Sequence, residues 1–250
     1  MSIETSRFRV TVDPARGVIA SLLDKTTGRE LAQGGANGGL DRYIYVPGRD
    51  PKAAVFAEGG TVRVGENGPL VKSLVWSADA PGTDGIESEV TLYEGLDRVE
   101  IVNRIHKKLV YDPEAVLYRF AFAANDPQDR ISIPGGWYRP EVDQLPGACR
   151  NYFADRKWIE VRDSTGAPIT LLTPDVPMLQ LGEIDTDAIV TGWKTHTASS
   201  ATVFSYAMNN YWGTNYRAGQ EGDVVLRYAI VPAAGEAAEA PRLVGIRGVE

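Results

Sequence analysis

The stretch Ile86-Glu87-Ser88-Glu89-Val90-Thr91-Leu92-Tyr93-Glu94-Gly95-Leu96-Asp97-Arg98-Val99-Glu100-Ile101-Val102-Asn103-Arg104-Ile105-His106 decides the fold class. In its first half Ile86, Ser88, Val90 and Leu92 alternate with Glu87, Glu89, Thr91 and Tyr93. Successive strand side chains point to opposite faces, so this period of two gives one row to a core and the other to solvent. The turn Glu94-Gly95-Leu96-Asp97 feeds Val99 to His106, and the two runs read as a hairpin. On the second arm His106 shares a face with Glu100, Arg104 and Lys108, which reads as solvated.

The pattern recurs in both directions. Upstream, Phe8, Val10 and Val12 alternate with Arg7, Arg9 and Thr11, and Val18 to Leu23 follows the turn Pro14-Ala15-Arg16-Gly17. Further strands are expected at Arg42 to Val46, Thr61 to Val64 and Val71 to Trp76. Downstream, Val116, Tyr118, Phe120 and Phe122 form one face of a strand. Later runs are Trp158 to Arg162, Ile169 to Thr173, Met178 to Gly182, Ala188 to Trp193, Thr202 to Met208 and Val224 to Val231. No segment holds a helical apolar period over three turns; Ala233 to Ala240 has room for a helical turn that Pro241 closes. The expectation is all-β: one large antiparallel β-sandwich over residues 1–250, with two sheets of unequal size. Gln33 to Gly60 and Asn125 to Asp155 read as long irregular stretches, which in compact domains are usually functional or interface-forming.

Composition narrows the function. The net charge of −7, from 26 basic and 33 acidic residues, argues against nucleic-acid and anionic-membrane partners, which need basic patches. Cys149 is the sole cysteine; it can form no intrachain disulfide and reads as a small buried or semi-buried residue. Met1-Ser2-Ile3-Glu4 carries no apolar signal core, and no run of about 18 apolar residues occurs, so a cytoplasmic location is expected. His106 and His196 stand far apart without HxxxH or CxxC spacing, so this chain is expected to hold no metal and no cofactor. There is no GxSxG elbow, and Gly34 to Gly39 lacks the strand–turn–helix context and lysine of a phosphate loop. A glycosidase needs two carboxyls, one protonated and one ionised. Glu141, Asp143, Asp155, Asp185 and Asp187 lie in irregular segments, but spacing singles out no pair, so no catalytic residue is assigned.

One motif points to a ligand. Asn209-Asn210-Tyr211-Trp212-Gly213-Thr214-Asn215-Tyr216, followed by Gln220 and Gly222, sets aromatic faces beside side-chain amides. Stacking faces and fixed hydrogen-bond partners suit a carbohydrate. The same residues also make an ordinary tight turn before a strand, with its aromatics in the core. Pro134 to Asp143 is again aromatic and polar. The candidate carbohydrate-binding or cleft-rim residues are Asn210, Trp212, Thr214 and Asn215, with Trp137 and Arg139 from the other stretch.

Three segments, in order, resemble glycoside hydrolase family 38, the α-mannosidases. Phe8-Arg9-Val10-Thr11-Val12-Asp13 followed by Gly17 to Leu31 is similar to the opening of that family's C-terminal β-sandwich, with its "I-x-S-L-x-D-K" and "T-G-x-E". Tyr93 to Ile105 resembles its "Y-x-x-x-x-R-V-x-x-x-N-x-I", and Asn209 to Gly222 its "N-N-x-W-x-T-N-(F/Y)-x-x-x-Q-x-G". The resemblance implies a galactose-mutarotase-like supersandwich that packs against a separate catalytic α/β domain, in cis or in trans, and frames its carbohydrate cleft. The family's zinc ligands and catalytic aspartate belong to that other domain, and nothing here matches their motifs. Two alternatives stay open on the same fold: a stand-alone sugar-acting epimerase or lyase, with His106 or His196 and a loop carboxylate as its acid and base, and a plain sugar-binding module.

Overall fold

The computed structural model describes residues 1–165, 168–186, 192–212, 215 and 217–232. Ten strands come first: β1 (Ser2–Glu4), β2 (Phe8–Asp13), β3 (Val18–Asp24), β4 (Arg29–Glu30), β5 (Gly39–Pro47), β6 (Val55–Phe56), β7 (Thr61–Asn67), β8 (Val71–Ala78), β9 (Thr83–Tyr93) and β10 (Val99–Lys107). Then come β11 (Glu114–Ala121), β12 (Gln128–Ile133), β13 (Gly136–Tyr138), β14 (Phe153–Ala154) and β15 (Trp158–Arg162). The last are β16 (Pro168–Leu172), β17 (Met178–Leu181), β18 (Thr202–Asn209) and β19 (Gly222–Pro232). Among the described residues the helical content is one 3₁₀ turn, Pro51–Ala53, capped by the Asp50 side chain.

The strands form two antiparallel sheets. The first runs β1-β2-β3-β5-β11-β18-β17-β14, with β4 on β3 and β6 on β5; the second runs β13-β12-β15-β16-β19-β10-β9-β8-β7. The decisive hairpin is β9–β10, in register from Val99 opposite Leu92 to Ile105 opposite Ile86. Its alternation sends Ile86, Val90, Leu92, Val99, Ile101 and Ile105 into a core shared with Phe8, Tyr43, Tyr118, Phe120 and Tyr228. His106 stays outside, against Asp223.

Strand β11 is buried at all eight positions. Val116, Tyr118 and Phe120 face the second sheet. Ala115 and Leu117 face away, into an outer layer with Ile44, Val46, Phe204 and Tyr206. Ala54, Phe56, Tyr152, Met178, Ile184 and Tyr211 pack against that layer from loops and neighbouring strands. A sheet covered on both faces explains why Glu114 to Phe122 reads as nearly continuous apolar sequence.

Two polar devices tie the sheets together. Where β5 slips register against β11, between Arg119 and Ala121, Asp41 takes a left-handed conformation (φ 62°) that aspartate tolerates better than most residues. Its carboxylate accepts from Asn103 Nδ2 at 2.6 Å, and Ser88 Oγ bonds Asn103 Oδ1 at 2.5 Å. Between β10 and β11, the buried Lys107 ammonium lies 2.6 Å from the buried Glu114 carboxylate.

The expected strands are present wherever the structure describes them. Most of Ala188 to Trp193, and the Ala233 to Ala240 turn, lie outside the described residues. Three readings need correction. Asn125 to Asp155 is not one irregular stretch: it holds β12, β13 and β14, whose short runs and few apolar residues hide their period. Gln33 to Gly60 holds, besides the strand expected at Arg42 to Val46 (β5), the short β6 and the 3₁₀ turn. Cys149 is exposed rather than buried, because it sits on the polar surface loop after β13.

Candidate functional site

The Asn209 motif closes one end of the outer layer. Asn210 follows β18 and reaches back to the chain entering β11. Its Oδ1 accepts from the Glu114 backbone N–H at 2.7 Å, and its Nδ2 donates to the carbonyls of Val110, Asp112 and Ala218 at 3.1, 2.9 and 3.2 Å. An amide with two N–H donors has none left for a ligand in that arrangement. Asn210 therefore stitches the β18–β19 connection to the β10–β11 connection. Tyr211 folds into the outer layer, its carbonyl accepting from Arg49 at 2.7 Å while that guanidinium lies 5.1 Å from its ring centre. Trp212 is 61% exposed and Asn215 is exposed. Thr214 lies outside the described residues.

Two outcomes follow for this loop. Asn210→Ala should destabilise the protein by about 1 kcal/mol, because it leaves part-buried backbone groups without their partner; urea unfolding measures it. Trp212→Ala should cost under about 1 kcal/mol, far from the 3–5 kcal/mol of a buried Trp. A melting curve on that variant separates an exposed contact face from a core anchor.

Trp137 and Arg139 come from the edge of the second sheet. Trp137 sits on β13 opposite Ser132 and is 44% exposed, with the Arg130 guanidinium over its ring at 4.2 Å. Arg139 forms a fork to Asp143, with Nε to Oδ2 at 3.0 Å and Nη2 to Oδ1 at 2.9 Å. That pairing, with the Arg139 backbone N–H, lowers the Asp143 pKa to about 2. Among the described residues no hydrogen bond, ion pair or ring contact joins Trp137 or Arg139 to Asn210, Trp212 or Asn215.

The structure does bring one histidine to a carboxylate. His196 Nδ1 lies 3.4 Å from Glu141 Oε2. Glu141, in a left-handed conformation, also accepts from the Thr197 backbone N–H and lies 2.9 Å from Arg150. The Thr197 N–H, His196 and Arg150 together hold its carboxyl below the usual range. Beside them an open cleft of about 310 Å³ is lined by Glu183, Lys194 and the 196–200 run. Asp155 and Asp185 are buried and serve the fold, bonded to Thr173 Oγ1 and Asn151 Nδ2. Asp187 lies outside the described residues. His106 and Asp223 stand on an open strand surface. Among the described residues no three His, Cys, Asp or Glu side chains converge where they could hold a metal ion.

A family model for the C-terminal domain of glycosyl hydrolases of family 38 matches residues 3–144, more than half of the chain. The chain belongs to that family. No curated protein sequence matches it. Among solved structures, an α-mannosidase from Enterococcus faecalis V583 superposes with a TM-score of 0.66 at 11% identity, over 93% of this chain and 29% of its own. A putative aldose 1-epimerase from Escherichia coli K12 gives 0.54 at 11% identity, over 93% of this chain and 98% of its own. A galactose mutarotase related enzyme from Lactobacillus acidophilus gives 0.52 at 10% identity, over 94% and 97%. At such identities the likeness is one of fold: this family 38 C-terminal domain has the galactose-mutarotase-like sandwich, and spans about 29% of the mannosidase it resembles. Its described residues include no helix long and apolar enough to cross a membrane.

Proposed function

We propose that this chain is the non-catalytic C-terminal β-sandwich of an α-mannosidase-like glycoside hydrolase, one domain over residues 1–250. It frames the carbohydrate cleft and stabilises a separate catalytic α/β domain, joined in cis or in trans. The observation that carries this reading is the family match together with coverage: nearly the whole chain corresponds to less than a third of an α-mannosidase. On this reading zinc belongs to the catalytic domain. Trp212 and Asn215, with Trp137 and Arg139, are the exposed groups that meet sugar or the catalytic domain, and Asn210 holds the first pair in place.

The test uses the isolated chain and the catalytic α/β domain of a family 38 glycosidase. The chain alone should turn over no aryl α-mannoside, and should co-purify with the catalytic domain and raise its melting temperature. Failure to associate, with intrinsic turnover by the chain, sinks the reading.

A second reading, a stand-alone sugar epimerase, is favoured by the length match to the putative aldose 1-epimerase and by the Glu141–His196 pair. Against it, a Glu141 carboxyl already held ionised by Arg150 and Thr197 is a weak general base and a poor acid. Aldose mutarotation lost in Glu141→Gln supports this second reading; no mutarotation by the wild type removes it.

A further inference from the structure

We infer that the open edge of β7 is a self-association surface, on which a second copy of this chain lays its own β7 antiparallel about a two-fold axis at Val64. β7 ends the second sheet and pairs on one side, with β8. Its seven residues are exposed apart from the half-buried Val62. Every second residue of an edge strand turns its N–H and C=O away from the sheet, where another strand can take them. Such edges are commonly guarded by charges and bulges, and β7 has both. Here their placement selects a partner.

Val62 lies opposite Trp76 and Asn67 opposite Lys72, five steps along β7 against four along β8, so β7 carries one extra residue. Trp76 and Lys72 share a face of β8, and Val62 and Asn67 therefore share a face of β7. Arg63 and Glu66, next to those two, both point to the other face, where Arg63 lies 3.6 Å from Glu87. Without the bulge, residues three apart would face opposite ways. The Glu66 backbone N–H donates to Ser73 Oγ at 2.8 Å, while its carboxylate makes no ion pair or hydrogen bond among the described residues. With Val64 on the axis and the bulge counted as one place, Arg63 of each copy stands opposite Glu66 of the other. Val64, itself 47% exposed, meets its own symmetry mate. Moving the axis by one place sets Arg63 against Arg63 or Glu66 against Glu66, and like charges directly opposite are destabilising. The charges thus admit this register and oppose its neighbours. The contact is self-complementary, as a two-fold interface must be, and it runs the nine-stranded sheet of one copy into that of the other.

The test is sedimentation equilibrium of the full chain from about 10 µM to about 1 mM, because a single strand pairing is a small interface with a dissociation constant of about 0.1 mM. The mass should climb from monomer toward dimer over that range. Arg63→Glu or Glu66→Arg alone sets like charges against each other at both places and should weaken the dimer about tenfold or more. Mixing these two variants in equal amounts restores both opposite-charge pairs, and the mixture should associate about as tightly as the wild type. Val64→Lys sets two ammonium groups at the axis and should weaken the dimer likewise. All three positions are exposed, so each variant should melt within about 2 °C of the wild type, which separates lost pairing from lost folding. A wild type that stays monomeric at about 1 mM overturns the proposal, as does a dimer that Arg63→Glu and Val64→Lys leave intact. A mixture no more associated than its separate variants overturns the register.

Discussion

Lys107→Met should destabilise the protein by about 3–5 kcal/mol, the cost of leaving one partner of a buried ion pair alone. Lys107 and Glu114 end β10 and begin β11, so they flank the crossing from one sheet to the other. Their charged atoms meet at 2.6 Å, with the Lys107 side chain fully buried and that of Glu114 4% exposed. Lys107 also donates to the Lys108 carbonyl at 2.7 Å. Without the ammonium, the Glu114 carboxylate must stay buried and unpaired, take up a proton or open the crossing. The double variant Lys107→Met, Glu114→Leu removes both charges and should recover most of the loss, as apolar replacements of buried pairs commonly do. Denaturant unfolding of the two variants measures the difference. A loss under about 1 kcal/mol in the single variant would show that water already reaches the pair.

The second large effect is a stability that declines as pH rises toward neutrality. Burial raises Asp41, Asp129 and Asp155 to about 7 each. Each is partly compensated: Asp41 by Asn103, Asp129 by the Ser200 N–H at 2.8 Å, Asp155 by Thr173 Oγ1. One oxygen of Asp129 and one of Asp155 remain buried without a partner. In the unfolded chain these carboxyls release their protons near 4. Between about pH 4 and 7 the folded state therefore holds more protons than the unfolded state, and each rise in pH costs stability until the curve flattens above about 7. The opposite group is Glu4, Asp13, Glu94, Glu141, Asp143 and Asp175, whose hydrogen bonds and ion pairs lower them. Their contribution is present above their unfolded values and is lost as pH falls toward 2. The melting temperature should peak at about pH 4–4.5 and fall by about 10 °C or more by pH 8. Asp129→Asn keeps an acceptor for Ser200 and should flatten the slope. A maximum at or above pH 7 would refute this assignment.

The strands were legible because a half-buried strand writes its orientation into the chain. Phe8-Arg9-Val10-Thr11-Val12 and Ile86 to Leu92 show the period directly, and β11 shows it on one face through Val116, Tyr118 and Phe120. The edge strands were not legible. Gly136-Trp137-Tyr138 is three residues long, exposed or half-buried, and flanked by turn residues, so no period can develop. Of the Asn209 motif, the sequence conveyed chemistry but not direction: the same amide serves a ligand or a distant backbone, and only the fold sets Asn210 beside Val110 and Asp112.

The order in which the two sheets are completed bears on how the protein is made. The family match ends at residue 144, yet the central strands β10 and β11 pair with β19 and β18, from residues 222–232 and 202–209. A ribosome that has finished β11 must add roughly a hundred more residues before those partners emerge, roughly 5–20 s at ordinary elongation rates. Throughout that interval two apolar strands offer open hydrogen-bonding edges to any neighbour. Non-local pairing also slows closure once the chain is released. Yield in a cell is therefore governed by what shields the nascent chain during that window, and overexpression at reduced temperature or with a holdase chaperone should favour soluble product over inclusion bodies.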